Sequence, residues 1–98
     1  MDNFSSLIKL IDRELEAKTG VFLNPKTGTT WELYIQKEKL VIAVPNFRFQ
    51  IYPSSPTRFK PVNALIDIEI EFEKPSFHNS LRMHLYAKTI KRATFFLF

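Results

Sequence analysis

The chain has 98 residues, with 14 Lys and Arg against 10 Asp and Glu, a net charge of +4 and a hydrophobic content of 45% that includes 10 Phe. This is the composition of one folded domain rather than of a disordered segment, and the aromatic share helps so small a core. No Cys is present, which excludes disulfides, thiolate metal sites and thiol nucleophiles.

No apolar run approaches the length of a membrane-spanning helix, and the start, with Asp2 and no basic stretch ahead of an apolar core, does not read as a secretory leader. A soluble cytoplasmic protein with no membrane role is the expectation. The charge is blocked. Residues 1–38 carry five bases and six acids, 39–66 four bases and no acid, 67–73 four acids and no base, and 74–98 five bases and no acid.

In chain order, Phe4, Leu7, Ile8, Ile11 and Leu15 form one apolar stripe at helical spacing, which predicts a helix over 4–18, capped by Asp2 or Asn3 and ended at Gly20. Next, "VFLNPKTGTTWELYI" predicts a hairpin turning through Asn24 to Gly28. A second turn at Gln36 to Lys39 leads into Leu40, Ile42 and Val44. Pairing Gln36 with Lys39 sets Leu33 opposite Ile42, so the apolar sets share one face. Phe47, Phe49 and Ile51 then alternate with Arg48, Gln50 and Tyr52 as a further strand. "PSSPTRFKP", with three prolines, reads as the longest loop.

In the last third, Ile66, Ile68, Ile70 and Phe72 alternate with Asp67, Glu69, Glu71 and Glu73. A connection through 75–80 leads to a strand from Leu81 that bends near Lys91 before "TFFLF". If Lys74 pairs with Leu81, Phe72 faces Met83 and Ile70 faces Leu85. On the other face Glu73 meets Arg82, Glu71 meets His84, Glu69 meets Tyr86 and Asp67 meets Lys88. A one-residue slip would drive charge into the core, so this parity is fixed. The basic strand is thus largely the partner of the acidic one, a ladder that repels phosphate, while Lys91 and Arg92 lie beyond the acids.

The chemistry of catalysis is sparse. His78 and His84 cannot alone build a zinc site, and no nucleophile motif or phosphate-cradling Gly loop is present. No enzyme, cofactor or metal is expected. The predicted fold class is α+β: one N-terminal helix packed on a curved antiparallel sheet of about five strands, a cystatin-like or similar helix-on-sheet architecture.

The function expected first is a small non-catalytic protein-interaction module acting through its sheet edge or apolar C-terminal end. Phe95, Phe96, Phe98 and Tyr34 would form its interface, in a homodimer or with another protein. One alternative is a weak, sequence-tolerant binder of single-stranded nucleic acid through Arg48, Tyr52, Arg58, Phe59 and Lys60, where cations alternate with rings. Another is a small-ligand-sequestering protein with a pocket between helix and sheet.

Overall fold

Leu33, Ile42 and Phe49 meet at directly opposed positions on three consecutive strands, and the same inward parity recurs from strand to strand. The sheet so formed closes on itself. The computed structural model describes residues 12–75 and 81–98. It shows one helical turn, α1 (Asp12–Glu16), followed by eight strands: β1 (Gly20–Asn24), β2 (Thr29–Gln36), β3 (Lys39–Ala43), β4 (Arg48–Pro53), β5 (Arg58–Pro61), β6 (Glu69–Glu73), β7 (Arg82–Ala87) and β8 (Ile90–Leu97). Each pairs antiparallel with the next, and β8 returns to β1 through Phe22↔Leu97 and Leu23↔Phe96, giving a closed up-and-down barrel. The amide of Phe98 donates to the Val21 carbonyl at 2.8 Å and extends that seam.

The predicted α+β class is therefore wrong. The described residues form a closed eight-stranded antiparallel β-barrel, and among them no helix is laid on a five-stranded, cystatin-like sheet. Three features account for the difference. Most of the helical stripe, residues 4–11, lies outside the described residues, and the described part is only one turn, whose Leu15 is buried in the core. The proline-rich segment expected to be a loop contains β5, which pairs through Ile51↔Pro61, Tyr52↔Lys60 and Pro53↔Phe59. Pro61 lacks an amide hydrogen, and the ladder resumes one residue later with Val62 donating to Gln50 at 2.9 Å.

The third feature is a turn. The run from Leu81 is not one bent strand but two, reversed at Lys88-Thr89. Both of these residues have positive φ, 55° and 66°. Lys37 and Glu38 repeat this between β2 and β3, at 52° and 66°. Two positive φ values in a two-residue hairpin define a I′ turn, whose twist matches the strands but which ordinarily uses Asn and Gly. Left-handed backbone costs an L-residue roughly 1–2 kcal/mol, most when the side chain is β-branched as in Thr89. Replacing Lys88-Thr89 by Asn-Gly should raise stability by about 1 kcal/mol, after the extra freedom of Gly in the unfolded chain is deducted. Thermal melts check this, and an unchanged or lower midpoint would contradict it.

Elsewhere the expected first hairpin forms, and the expected β2–β3 and β6–β7 registers hold over their paired residues, which do not include Asp67 and Lys88. β1 and β2 pair from Gly20↔Leu33 to Asn24↔Thr29, with Gly28 at φ 75° closing the turn. β2 and β3 pair with Gln36↔Lys39 and Leu33↔Ile42. β6 and β7 pair as Glu69↔Tyr86, Ile70↔Leu85, Glu71↔His84, Phe72↔Met83 and Glu73↔Arg82. β6 begins at Glu69, so Asp67 and Ile68 precede the ladder. The predicted connection at 75–80 falls largely outside the described residues.

The interior is filled. Phe22, Leu33, Leu40, Ile42, Ile51, Phe59, Ile70, Phe72, Met83 and Phe95 are each at most 3% exposed. Phe59 meets Phe72 edge-on at 5.4 Å and 86°, and Phe72 meets Phe22 at 6.2 Å and 65°. Trp31 lies over Phe95 at 4.8 Å. An eight-stranded barrel is just wide enough for its own side chains, and here they occupy it. Leu15 joins this core, and Lys18 stands 6.0 and 5.7 Å from the Phe59 and Phe72 rings. A closed sheet also has no edge strand, so partners must use its outer surface.

A basic groove on the outer face

The residues of β6 that alternate with the core put Glu69, Glu71 and Glu73 on the outside, and each finds a donor. The expected cross-strand ladder is present in register but is three strands wide. Arg58 of β5 donates from Nη1 to Glu69 Oε1 at 2.9 Å, and its Nη2 lies 3.6 Å from Glu71 Oε1. Its guanidinium also covers the Tyr86 ring at 4.9 Å. The Tyr86 hydroxyl donates to Glu71 Oε1 at 3.2 Å. Burial, then this carboxylate, pushes the phenol above its ordinary range.

At the other end of β6, His84 is only 9% exposed although it faces outward. Its Nε2 lies 3.0 Å from Glu73 Oε1 and its Nδ1 2.9 Å from the Thr94 hydroxyl. A carboxylate only accepts, so the ring hydrogen sits on Nε2. In the neutral ring Nδ1 then accepts from Thr94. The Glu73 carboxyl is held below its ordinary 4.5, first by this hydrogen bond and then by Arg82, 3.7 Å away, and Lys91. A carboxylate depressed in the folded state lends stability above its unfolded pKa and loses it as pH falls through the folded one. Glu73→Gln should therefore flatten the decline of thermal stability below about pH 4.5. An unaltered pH profile would show that these contacts do not favour the ionised form.

The acids are thus matched on the β5 and β7 side. On the β8 side the balance reverses. The β7–β8 register runs Leu85↔Ala93 and then Tyr86↔Lys91, leaving Arg92 as an extra residue in β8. Such a bulge re-aims side chains, and here two consecutive cations, both exposed, line the same outer groove. From β7 comes Arg82, whose guanidinium lies 5.4 Å from the Phe96 ring. From the β1–β2 turn comes Lys26, brought near by barrel closure. That turn is fastened by Asn24, whose Oδ1 accepts from the Lys26 amide at 3.0 Å and whose carbonyl accepts from Gly28 at 2.8 Å. The groove has a volume of about 540 Å³. His84 and Thr94 contribute to its lining, Phe96 forms one wall, and no carboxylate lines it. It can therefore hold an anion through its cations, since the His84 ring and the Thr94 hydroxyl are already engaged with Glu73 and with each other.

The residues singled out from sequence do not assemble as expected. Phe59 and Phe95 are core residues, 0% and 2% exposed, and reach no surface. Arg58 is engaged by two carboxylates. Tyr52 and Lys60 are exposed cross-strand neighbours beside a second groove of about 350 Å³, whose lining also holds Asp67 and Glu69. Arg48 stands apart and donates to the Tyr34 hydroxyl at 3.1 Å. Of the interface set, only Phe96 and Phe98 come together, on the outside of the β1–β8 seam with Val21. Sequence reasoning passed over Lys26 and gave Arg82 to the ladder alone. The signal that was readable is the absence of any acid after Glu73, which left Lys91 and Arg92 unmatched.

His78 lies outside the described residues. Among the described residues no group of three or more His, Cys, Asp or Glu side chains is placed to hold a metal ion. Compared with known protein families, characterised proteins and solved structures, the chain matches none.

Proposed function

We propose that this protein is a non-catalytic binding module that holds an extended anionic ligand along the groove between the β1–β2 turn and β7–β8. One observation carries this reading: Lys26, Arg82, Lys91 and Arg92, from three separate elements, converge on a groove with no carboxylate in its lining. Of the neighbouring acids, Glu69 and Glu71 are engaged by Arg58 and Tyr86, while Glu73 reaches Arg82 at 3.7 Å and offsets one of the four charges, so the groove stays positive. Cations that are close in space but far apart in sequence make a local positive potential that net charge alone does not reveal.

Binding of this kind releases counterions and so weakens with salt. Four phosphate contacts on a flexible strand correspond to a slope of about −3 in log affinity against log salt, or roughly fifty-fold between about 50 and 200 mM. Fluorescence anisotropy with a short labelled oligodeoxythymidylate measures it. No binding at low salt, or a slope near zero, would refute the proposal.

A second reading, self-association, is favoured by the exposed apolar strip of Val21, Phe96 and Phe98, the last 86% exposed. Light scattering at high micromolar concentration separates the two, since a monomer that binds the oligonucleotide supports only the first.

A further inference from the structure

We infer that the ligand of this groove is single-stranded nucleic acid, with its bases stacked on Phe96 and Phe98 and its phosphates on Lys91, Arg92, Arg82 and Lys26. The inference rests on the anion-binding reading above and adds the class of anion.

Side chains follow a distinct order along the outer face of β8 and the residue after it. Reading back from the barrel seam, that face presents Phe98, Phe96, Thr94 and then the bulged cations Arg92 and Lys91. Two aromatic platforms are followed by a hydroxyl and two positive charges on the same outer face. The Phe98 backbone is held in line by the hydrogen bond its N–H donates to the Val21 carbonyl. Phe96 is 36% exposed, and the Arg82 guanidinium lies 5.4 Å from its ring, placing a positive charge beside that platform. Neither ring belongs to the core cluster, which takes Phe95 just before them and has Leu97, from between them, packed against it.

Alternate residues of a strand are about 6.8 Å apart, twice the roughly 3.4 Å separation of stacked bases in a duplex. Successive rings on this track therefore match bases that have come apart from one another, one base to each ring. A duplex keeps its base faces covered and can offer the groove only phosphates. A sulfated polysaccharide offers charge but no flat apolar face. A single strand supplies both, and ring stacking with cationic tracking of the backbone is the physics by which such strands are held without sequence preference.

The experiment compares four labelled or competing probes on the full chain by anisotropy: a single-stranded oligonucleotide, an abasic strand of the same length and charge, a duplex, and heparin. The base-bearing strand should bind on the order of ten-fold more tightly than the abasic one. Phe96→Ala and Phe96→Leu should abolish that difference, and Phe96→Trp should keep it. The Leu variant retains apolar volume, so an effect it shares with Ala is not one of folding. Unchanged melting temperatures in both confirm this. If the abasic strand or duplex binds as tightly as the base-bearing strand, or if Phe96→Leu leaves the ratio intact, the stacking inference falls while the anion groove stands. If none of the four probes binds, the groove itself is misread and both fall.

Discussion

Phe59→Ala lowers the stability of the barrel by about 3–5 kcal/mol, a large part of what a domain of this size possesses. The residue is completely buried, and its ring meets Phe72 edge-on at 5.4 Å, which in turn meets Phe22. Truncation removes apolar area, an aromatic contact and the filling of a space that close-packed neighbours cannot collapse into. Denaturant unfolding measures the loss. The comparison with Phe96→Ala is informative, because that ring lies outside the core and its removal should change stability by less than about 0.5 kcal/mol. A loss below about 1 kcal/mol for Phe59→Ala would mean that the three-ring chain is not the centre of the fold.

Joint reversal of Lys91 and Arg92 to Glu has the largest effect expected on binding. On the proposed reading, two of the four phosphate contacts go and two repulsions replace them. Each reversed charge should cost about ten-fold in affinity, on the order of 100-fold together, and the salt slope should become shallower by about 1.4. Both side chains are exposed, so melting should be little changed. Lys60→Glu with Lys88→Glu is the matched control. It alters net charge equally but acts in the second groove, beside Asp67 and Glu69. If the two double variants weaken binding alike, affinity follows total charge and not this groove.

The parts of the fold legible in the sequence are those fixed by neighbours in the chain. Alternation in 66–73 and 81–87 determined the β6–β7 pairing, because any slip by one residue would have buried the glutamates. Asn24 to Gly28 announced the first turn through its own chemistry. Lys88-Thr89 announced nothing, since a I′ turn without Asn or Gly has no local signature. One strand was therefore read where there are two. β5 was hidden by prolines that a ladder excludes from its centre but accepts at strand ends. Closure depends on Leu23 meeting Phe96, a contact between the two ends of the described chain that periodicity cannot express.

The same distinction runs through the site. That no acid follows Glu73 in the chain to match Lys91 and Arg92 is a matter of local composition. That Lys26 joins them follows only from closure. That both point outward follows from a bulge, which inserts one residue against the strict alternation used to read faces. Arg58 failed as a candidate for the opposite reason: its partners Glu69 and Glu71 were assigned across the hairpin to β7, and the contribution of β5 from the other side was not visible.

Because the bore of the barrel is solid with side chains, whatever the protein carries must ride outside it. No wall has to open before a cargo arrives or departs. Capture should then be quick and steered by charge, with lifetimes set by a handful of contacts. Such a molecule is suited to brief, repeated occupancy along a long strand rather than to storage.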